Sequence, residues 1–578
     1  MVTWRLIRSL VGVVFTFGGV TSLVAAEPIN ILDLVHPDSA LVLEVQDMER
    51  AWSTLNSGQL LQRLRAYQPF QQFFESEAMQ KWQRIEERVF KKTGQSLAVR
   101  TRSLCSKSMV LSLRLPVNGA PEGVILMETL DEREIPLFIE SWDDYEVDTL
   151  TTTKSHHGLS YFQRTKERAP KQTLFVATFE KWFALSDHES CIHDVIDRFV
   201  GEMDRSNQFG AGSSRGTNLF LRCREQLDPG GELFLHINAR PWDQGINELS
   251  EYLNLPANIT SIWKQISSIS SCLRLEQGFV CDTAIEFDES QLSDEWPQIV
   301  ATASGEPDCP HSLPAEAFLV FGGELELAPV IRYMESHLSP ANLAKLSKLR
   351  RSAQSLLGGH ELLNVVLPPL ATKFSGFLVT SSDSQMTNQI VDGVLTSHFD
   401  LSKDPNVAGD VGRAADLHLS LTAASRSADH SNIVTVRREQ NESLRLEWLS
   451  EPVAFPSAFG IKGRQFVIAG SEHFLRQSFE TPSDQNTTTH RSDNSRQSFP
   501  GASQFVWLDT VQARRLLKLH GSEIVNWLSS VFAEKPDQFA RSIESIAAEL
   551  ELIDSLFIAL QLESDRIRVR FCGSLDEN

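Results

Sequence analysis

Apolar positions along the chain alternate over short runs and then shift to helical spacing. The pattern is clearest in HPDSALVLEVQDMERAWSTLNSG, residues 36–58. Pro37 and Asp38 make a turn, and Leu41, Leu43 and Val45 fall on one face of a strand. Asp47 is placed to cap a helix by accepting from its free N–H groups. Met48, Ala51, Trp52 and Leu55 then recur at i, i+3, i+4 and i+7, so Trp52 is expected in a helix–sheet core, and Gly58 supplies the left-handed stop. Phe73, Phe74, Ala78, Trp82, Ile85 and Val89 predict a second helix whose aromatics are core.

The same sequence of turn, strand and helix returns three times. It begins at Pro229, with a strand near 233–237 and a helix carrying Trp242, Ile246, Leu249 and Leu253. It begins again at Pro314, with a strand near 318–321 and a helix after Pro329, and at Pro500, with a strand near 505–508, caps at Asp509 and Thr510, and Ala513, Leu516 and Leu517 on a helix. Pro37 to Pro229 and Pro314 to Pro500 are nearly equal stretches, whereas Pro229 to Pro314 is much shorter. The pattern is therefore two copies of a larger unit rather than a short-period solenoid. Strand-to-helix junctions at Ser186 and Ser471, and hairpins through Leu273 and Leu275 and through Leu560 and Leu562, keep a similar offset.

The expected class is α+β, with two related domains. Each is a largely antiparallel twisted sheet with helices packed on one face. The domains are expected over residues 27–305 and 306–578, as a tandem duplication. Strands are predicted at 107–115, 122–130, 159–165, 172–179 and 181–186 in the first half, and at 374–382, 416–423, 443–450 and 464–470 in the second. Residues 207–218, 401–416 and 481–498 are expected as polar loops; the last offers few apolar groups to offset the entropy of ordering.

Compartment and charge narrow the function classes. Arg5 and Arg8, the apolar run from Leu10 to Val20 and the small residues Val24-Ala25-Ala26 follow the grammar of a secretory signal peptide over residues 1–26, with cleavage between Ala26 and Glu27. The product is expected in the periplasm or outside the cell, without a transmembrane span. The formal net charge of −21 makes nucleic acid an unfavourable partner. The seven cysteines include no CxxC pair, which argues against a zinc ribbon or thioredoxin-like motif. Cys272 and Cys281 flank a hairpin, where either a disulfide or two unpaired side chains would fit.

Enzyme motifs are poorly matched. His188, Glu189 and His193 imitate HExxH, but the histidines are five apart and splay around a helix instead of sharing a face. His156 and His157 would point apart if both lay on a strand. Gly212, Ser213, Ser214 and Gly216 miss the spacing of a nucleophile elbow. Glu140, Asp143, Asp144, Glu146 and Asp148 read as a solvated acidic turn without EF-hand spacing. No metal or cofactor is expected, and no catalytic residue is identified.

The leader, the HPDSALVLEVQDMERAW opening and the long α+β body resemble a family of exported proteins of planctomycete-type bacteria, built on a domain of unknown function. That resemblance implies no activity, cofactor or site residue. The expectation is an exported non-catalytic binding or structural protein of the cell envelope or periplasm, with a macromolecular or envelope partner. The alternative is an exported hydrolase whose site is assembled from distant residues.

Overall fold

The computed structural model describes most of residues 30–578. Residues 1–29, much of 54–102, 207–218, 362–367, 381–390, 481–500 and 576–578 fall outside the description, with some shorter stretches. Trp52, Gly58, the second-helix aromatics, Pro229, Pro500, the Ser213-Ser214 segment and the 481–498 loop therefore lie outside the described residues. The class is α+β. The chain folds into two compact units, residues 1–252 with 266–286, and residues 253–265 with 287–578.

Among the described residues the first unit holds ten strands: β1 (Leu41–Val45), β2 (Ser108–Arg114), β3 (Glu122–Glu128), β4 (Thr149–His156), β5 (Leu159–Lys166), β6 (Ala169–Phe179), β7 (Trp182–Ser186), β8 (Leu233–Asn238), β9 (Ile266–Glu276) and β10 (Gly278–Phe287). Its main helices are α1 (Glu134–Tyr145), α2 (Glu189–Ser206), α3 (Leu219–Gln226) and α4 (Asp243–Leu253). The strands pair in the order β4-β5-β6-β7-β3-β2-β1-β8-β9-β10.

The second unit holds β11 (Ala317–Glu324), β12 (Leu370–Thr380), β13 (Val391–Phe399), β14 (Val436–Gln440), β15 (Leu444–Leu449), β16 (Ala458–Lys462), β17 (Gln465–Ala469), β18 (Gln504–Asp509), β19 (Ser555–Leu562) and β20 (Arg566–Ser574). Its helices include α5 (Ala257–Gln265), α6 (Trp296–Thr302), α7 (Leu327–His337), α8 (Pro340–Leu356), α9 (Val407–Asp429), α10 (Glu472–Gln477), α11 (Thr510–Phe532) and α12 (Pro536–Glu549). The order is β14-β15-β16-β17-β13-β12-β11-β18-β19-β20, strand for strand that of the first sheet.

The register agrees as well as the order. In the first sheet Val45 faces Leu233 and Met109, Met109 faces Met127, and Met127 faces Phe183. In the second, Gly323 faces Gln504 and Phe374, Phe374 faces Ser397, and Ser397 faces Phe466. Phe183 and Phe466 are each the second residue of a five-residue strand. Two residues before each of these strands the backbone turns through positive φ, 48° at Glu180 and 59° at Gly463. Continuing outward, Tyr161 faces Ala177 and Lys154, while Leu446 faces Gly460 and Glu439. Buried positions follow the same match: Val42 with Val320, Phe234 with Phe505, Cys272 with Ala559.

Helices cover both faces of each sheet, where the sequence pattern suggests one. Adjacent residues of β7 point oppositely: Trp182 and Ala184 pack against Ile192, Val195 and Phe199 of α2, while Phe183 lies with Ile135, Phe138 and Trp142 of α1. The second sheet uses α10 on one face and α9 on the other. Helix α9 replaces residues 407–416 of the loop expected at 401–416, whose first six residues remain turn and coil, and the strand expected at 416–423. Leu417, Leu419 and Leu421 alternate in sequence, but only Leu419 is buried. The operative period is Val407, Val411, Ala415, Leu419 and Ala423, one per turn on the face that meets Phe459 and Phe466.

Strand ends carry the expected caps. The Asp47 carboxylate accepts from the Arg50 N–H at 2.8 Å, and Asp509 accepts from Gln512 at 2.9 Å. Ser471 accepts from Phe474 at the start of α10. Among the described residues no disulfide joins Cys272 to Cys281. Among the described residues no helix is long and apolar enough to cross a membrane.

Candidate functional site

The densest group of chemistry-bearing side chains lies where the β4–β5 hairpin meets α2. The hairpin turns on two residues, His157 with φ 47° and Gly158 with φ 82°. Positive φ at both central positions is the type I′ geometry, whose twist matches that of the flanking strands. Histidine tolerates this region better than most residues but pays strain that glycine does not. The turn overturns the expectation that His156 and His157 diverge. His157 has left the strand, so its ring lies 4.5 Å from that of His156, edge to face.

Helix α2 supplies the facing residues. Ile192, Val195, Ile196 and Phe199 fill the core. Glu189, His193 and Asp197, four apart, form a polar row along another side of the helix. Each meets the hairpin. Lys154 Nζ reaches Glu189 Oε1 at 2.6 Å, and the Tyr161 hydroxyl donates to the same oxygen at 2.5 Å. His193 Nε2 lies 2.9 Å from the Tyr161 hydroxyl, and its ring stacks on His156 at 4.0 Å and 7°. His156 Nε2 is 2.6 Å from Asp197 Oδ1, and His157 Nε2 is 3.2 Å from the same atom.

The electrostatics follow from these contacts. The hydrogen bond from Lys154, then that from Tyr161, holds the Glu189 carboxyl below its usual range. Burial first, and then the Glu189 hydrogen bond and charge, push the Tyr161 phenol up to about 12.

The second sheet builds the same junction from different residues. Lys154 and Tyr161 correspond by register to Glu439 and Leu446. Counted from the ends of β7 and β17, Glu189, Ile192, His193 and Asp197 correspond to Glu472, Leu475, Arg476 and Glu480. Arg476 bonds Glu439 at 2.7 Å and Glu472 at 2.9 Å, and covers the Trp448 ring at 5.1 Å. His156 is replaced by Asn441, whose side chain accepts from the Ser443 and Leu444 N–H groups.

The other positions noted in the sequence do not converge. His188 pairs with Asp187 at 2.8 Å while His193 turns to Tyr161, so the HExxH-like segment is split between two neighbourhoods. Asp143 is taken by Arg164, whose guanidinium lies over Trp142 at 4.5 Å. The Asp144 and Glu146 side chains lie outside the described residues. Sequence reasoning misses Lys154, Tyr161 and Asp197; the signals are an E-x3-H-x3-D spacing on an amphipathic helix and an HHG turn between β-rich runs.

A further polar group is enclosed in the first sheet. Arg224 of α3 pairs with Glu44 of β1 at 3.1 Å, and Glu232 bonds Arg50 at 3.0 Å and the Leu275 N–H at 2.8 Å. Burial raises the Glu44 carboxyl, and Arg224 opposes that shift. His236 of β8 is buried beside Ser270 at 2.8 Å, and desolvation lowers its imidazole to about 4.

No known protein-family model matches the chain. No curated protein matches it either. Two solved structures of TP0453, crystal forms I and III, align with it at 10% and 11% identity, covering 46% of this chain and 82% and 84% of that one. The TM-scores are 0.22 and 0.23, a likeness too slight to bear on fold or function.

Proposed function

We infer that the chain is an exported, non-catalytic binding or structural protein of the cell envelope or periplasm, built as a tandem duplication of one sheet-and-helix scaffold. The observation that carries this reading is the shared strand order and register of the two sheets. A duplicated core whose hairpin–helix junctions differ assigns stability to the common part and recognition to the part that differs. The leader sequence supports export, and the resemblance to the planctomycete-type exported family supports the same compartment.

Fractionation of the native host tests it. The protein is expected in the periplasmic or envelope fraction with Glu27 at its N-terminus; a cytoplasmic chain that keeps Met1 would overturn the reading. A hydrolase is the second reading, favoured by the Asp197–His156 pair beside His193 and Tyr161. Chromogenic ester, peptide, glycoside and phosphoester substrates distinguish the two. Turnover abolished by Asp197→Asn would establish the enzyme, and no turnover is expected.

A further inference from the structure

We propose that His156, His157 and Asp197 form a binding site for one divalent transition-metal ion of the zinc class, present in the first sheet and lost from the second. The ligand atoms of these three side chains lie within 4.8 Å of one another. Zinc bound at about 2.0–2.2 Å by nitrogen and oxygen needs ligand atoms about 3.3 Å apart in a tetrahedron. His157 Nε2 and Asp197 Oδ1 already stand at 3.2 Å. His156 Nε2 and Asp197 Oδ1 stand at 2.6 Å and need to separate by only about 0.7 Å, which a small side-chain rotation supplies. Two imidazoles select zinc, copper or nickel over calcium or magnesium.

Three features argue for a built site rather than a surface ion pair. First, histidine occupies the first central position of a type I′ turn, where asparagine or glycine is the unstrained choice. Second, the His156 ring stacks on His193, which meets the Tyr161 hydroxyl, and that hydroxyl donates to Glu189. The stack limits rotation of the His156 ring and keeps its Nε2 turned to Asp197. Third, the second sheet keeps neither His156 nor the ring it stacks on: Asn441 stands for His156 and Arg476 for His193, while Glu480 retains a carboxylate in place of Asp197. The partly exposed Asp197 and His157 leave the remaining coordination positions open to water or to a donor from a bound partner.

Zinc titration of the full mature chain by calorimetry tests the proposal, with cobalt substitution as an optical readout of the ligand set. One ion per chain is expected to depend on this cluster. His157→Asn, which suits the positive φ of the turn, and Asp197→Asn are each expected to weaken it at least tenfold and to alter the cobalt bands. His188→Gln, outside the cluster, should leave it unchanged. The chain's 15 histidines could hold zinc adventitiously. Binding that survives both cluster substitutions, or no binding at micromolar zinc, would overturn the site. Circular dichroism monitors folding, and if Asp197→Asn misfolds, His157→Asn decides alone. The outcome does not depend on whether the protein proves to be an enzyme or a binding scaffold.

Discussion

The two sheets solve one architectural problem with different chemistry. Among the described residues both hold a ten-strand antiparallel order, and both pack one helix after the fourth strand in from the hairpin edge. The first encloses charge: Glu44 is buried against Arg224. Its positional counterpart is Gly322, in a sheet where several backbones approach closely. A Cβ on Gly376 would collide with the Val394 carbonyl and the Phe321 ring, and one on Gly393 with the Phe377 carbonyl. At this position one sheet carries a buried charge pair and the other a glycine; the second sheet places its own pair, Arg445 with the buried Glu447, on β15. The same backbone frame tolerates either, because register depends on the alternation of faces more than on the identity of each core residue.

Removing one partner of the buried pair should produce the largest effect. Arg224→Met leaves Glu44 buried and uncompensated, an expected loss of about 3–5 kcal/mol in urea denaturation. Adding Glu44→Leu should recover most of it. If the single substitution were neutral, the contrast between Glu44 and its counterpart Gly322 would lose its energetic meaning.

Next come the helix anchors that the register equates. Ile192 and Leu475 are both fully buried. Each truncation to alanine is expected to cost on the order of 2–5 kcal/mol. A large cost at one and none at the other would break the equivalence of α2 and α10.

The third prediction concerns pH. His236 corresponds to Trp507, so only the first sheet carries a titratable group there. Its folded pKa is depressed to about 4 from 6.5. The neutral ring's contribution is present above pH 6.5 and is lost as pH falls towards 4, on the order of 3 kcal/mol in all. Denaturation at several pH values should show a smaller acid-side decline in His236→Gln.

The smallest effect should come from the second junction. Arg476→Gln removes partly exposed ion pairs with Glu439 and Glu472, and less than about 1 kcal/mol is expected in thermal unfolding.

Much of this frame is legible in the sequence because the strand–helix units leave turn residues and caps at regular places. Asp47, Asp509 and Ser471 cap helices as their positions suggest. What escapes has physical causes. Residues 407–429 carry leucines spaced like a strand, but the buried set spaced by four belongs to a helix. Strand β13 is interrupted by Gly393 and by polar Thr396, Ser397 and His398, so it lacks a continuous apolar run. Strand β4 has no apolar alternation, since most of its residues face solvent. The site is hidden for a related reason: whether two adjacent histidines converge depends on which one sits in the turn, and composition does not encode that.

Strand β4 has one more consequence. Among the described pairings it joins only β5, and its sequence is TLTTTKSH, mostly threonine, lysine and serine. The outer rim of an edge strand, with its backbone donors and acceptors, is a template on which a foreign extended chain can grow. Exposed threonine and serine hydroxyls along most of that rim give an incoming apolar strand little to cover beyond Leu150. In a crowded compartment, where partly folded neighbours meet often, this border would keep the sheet from seeding fibres.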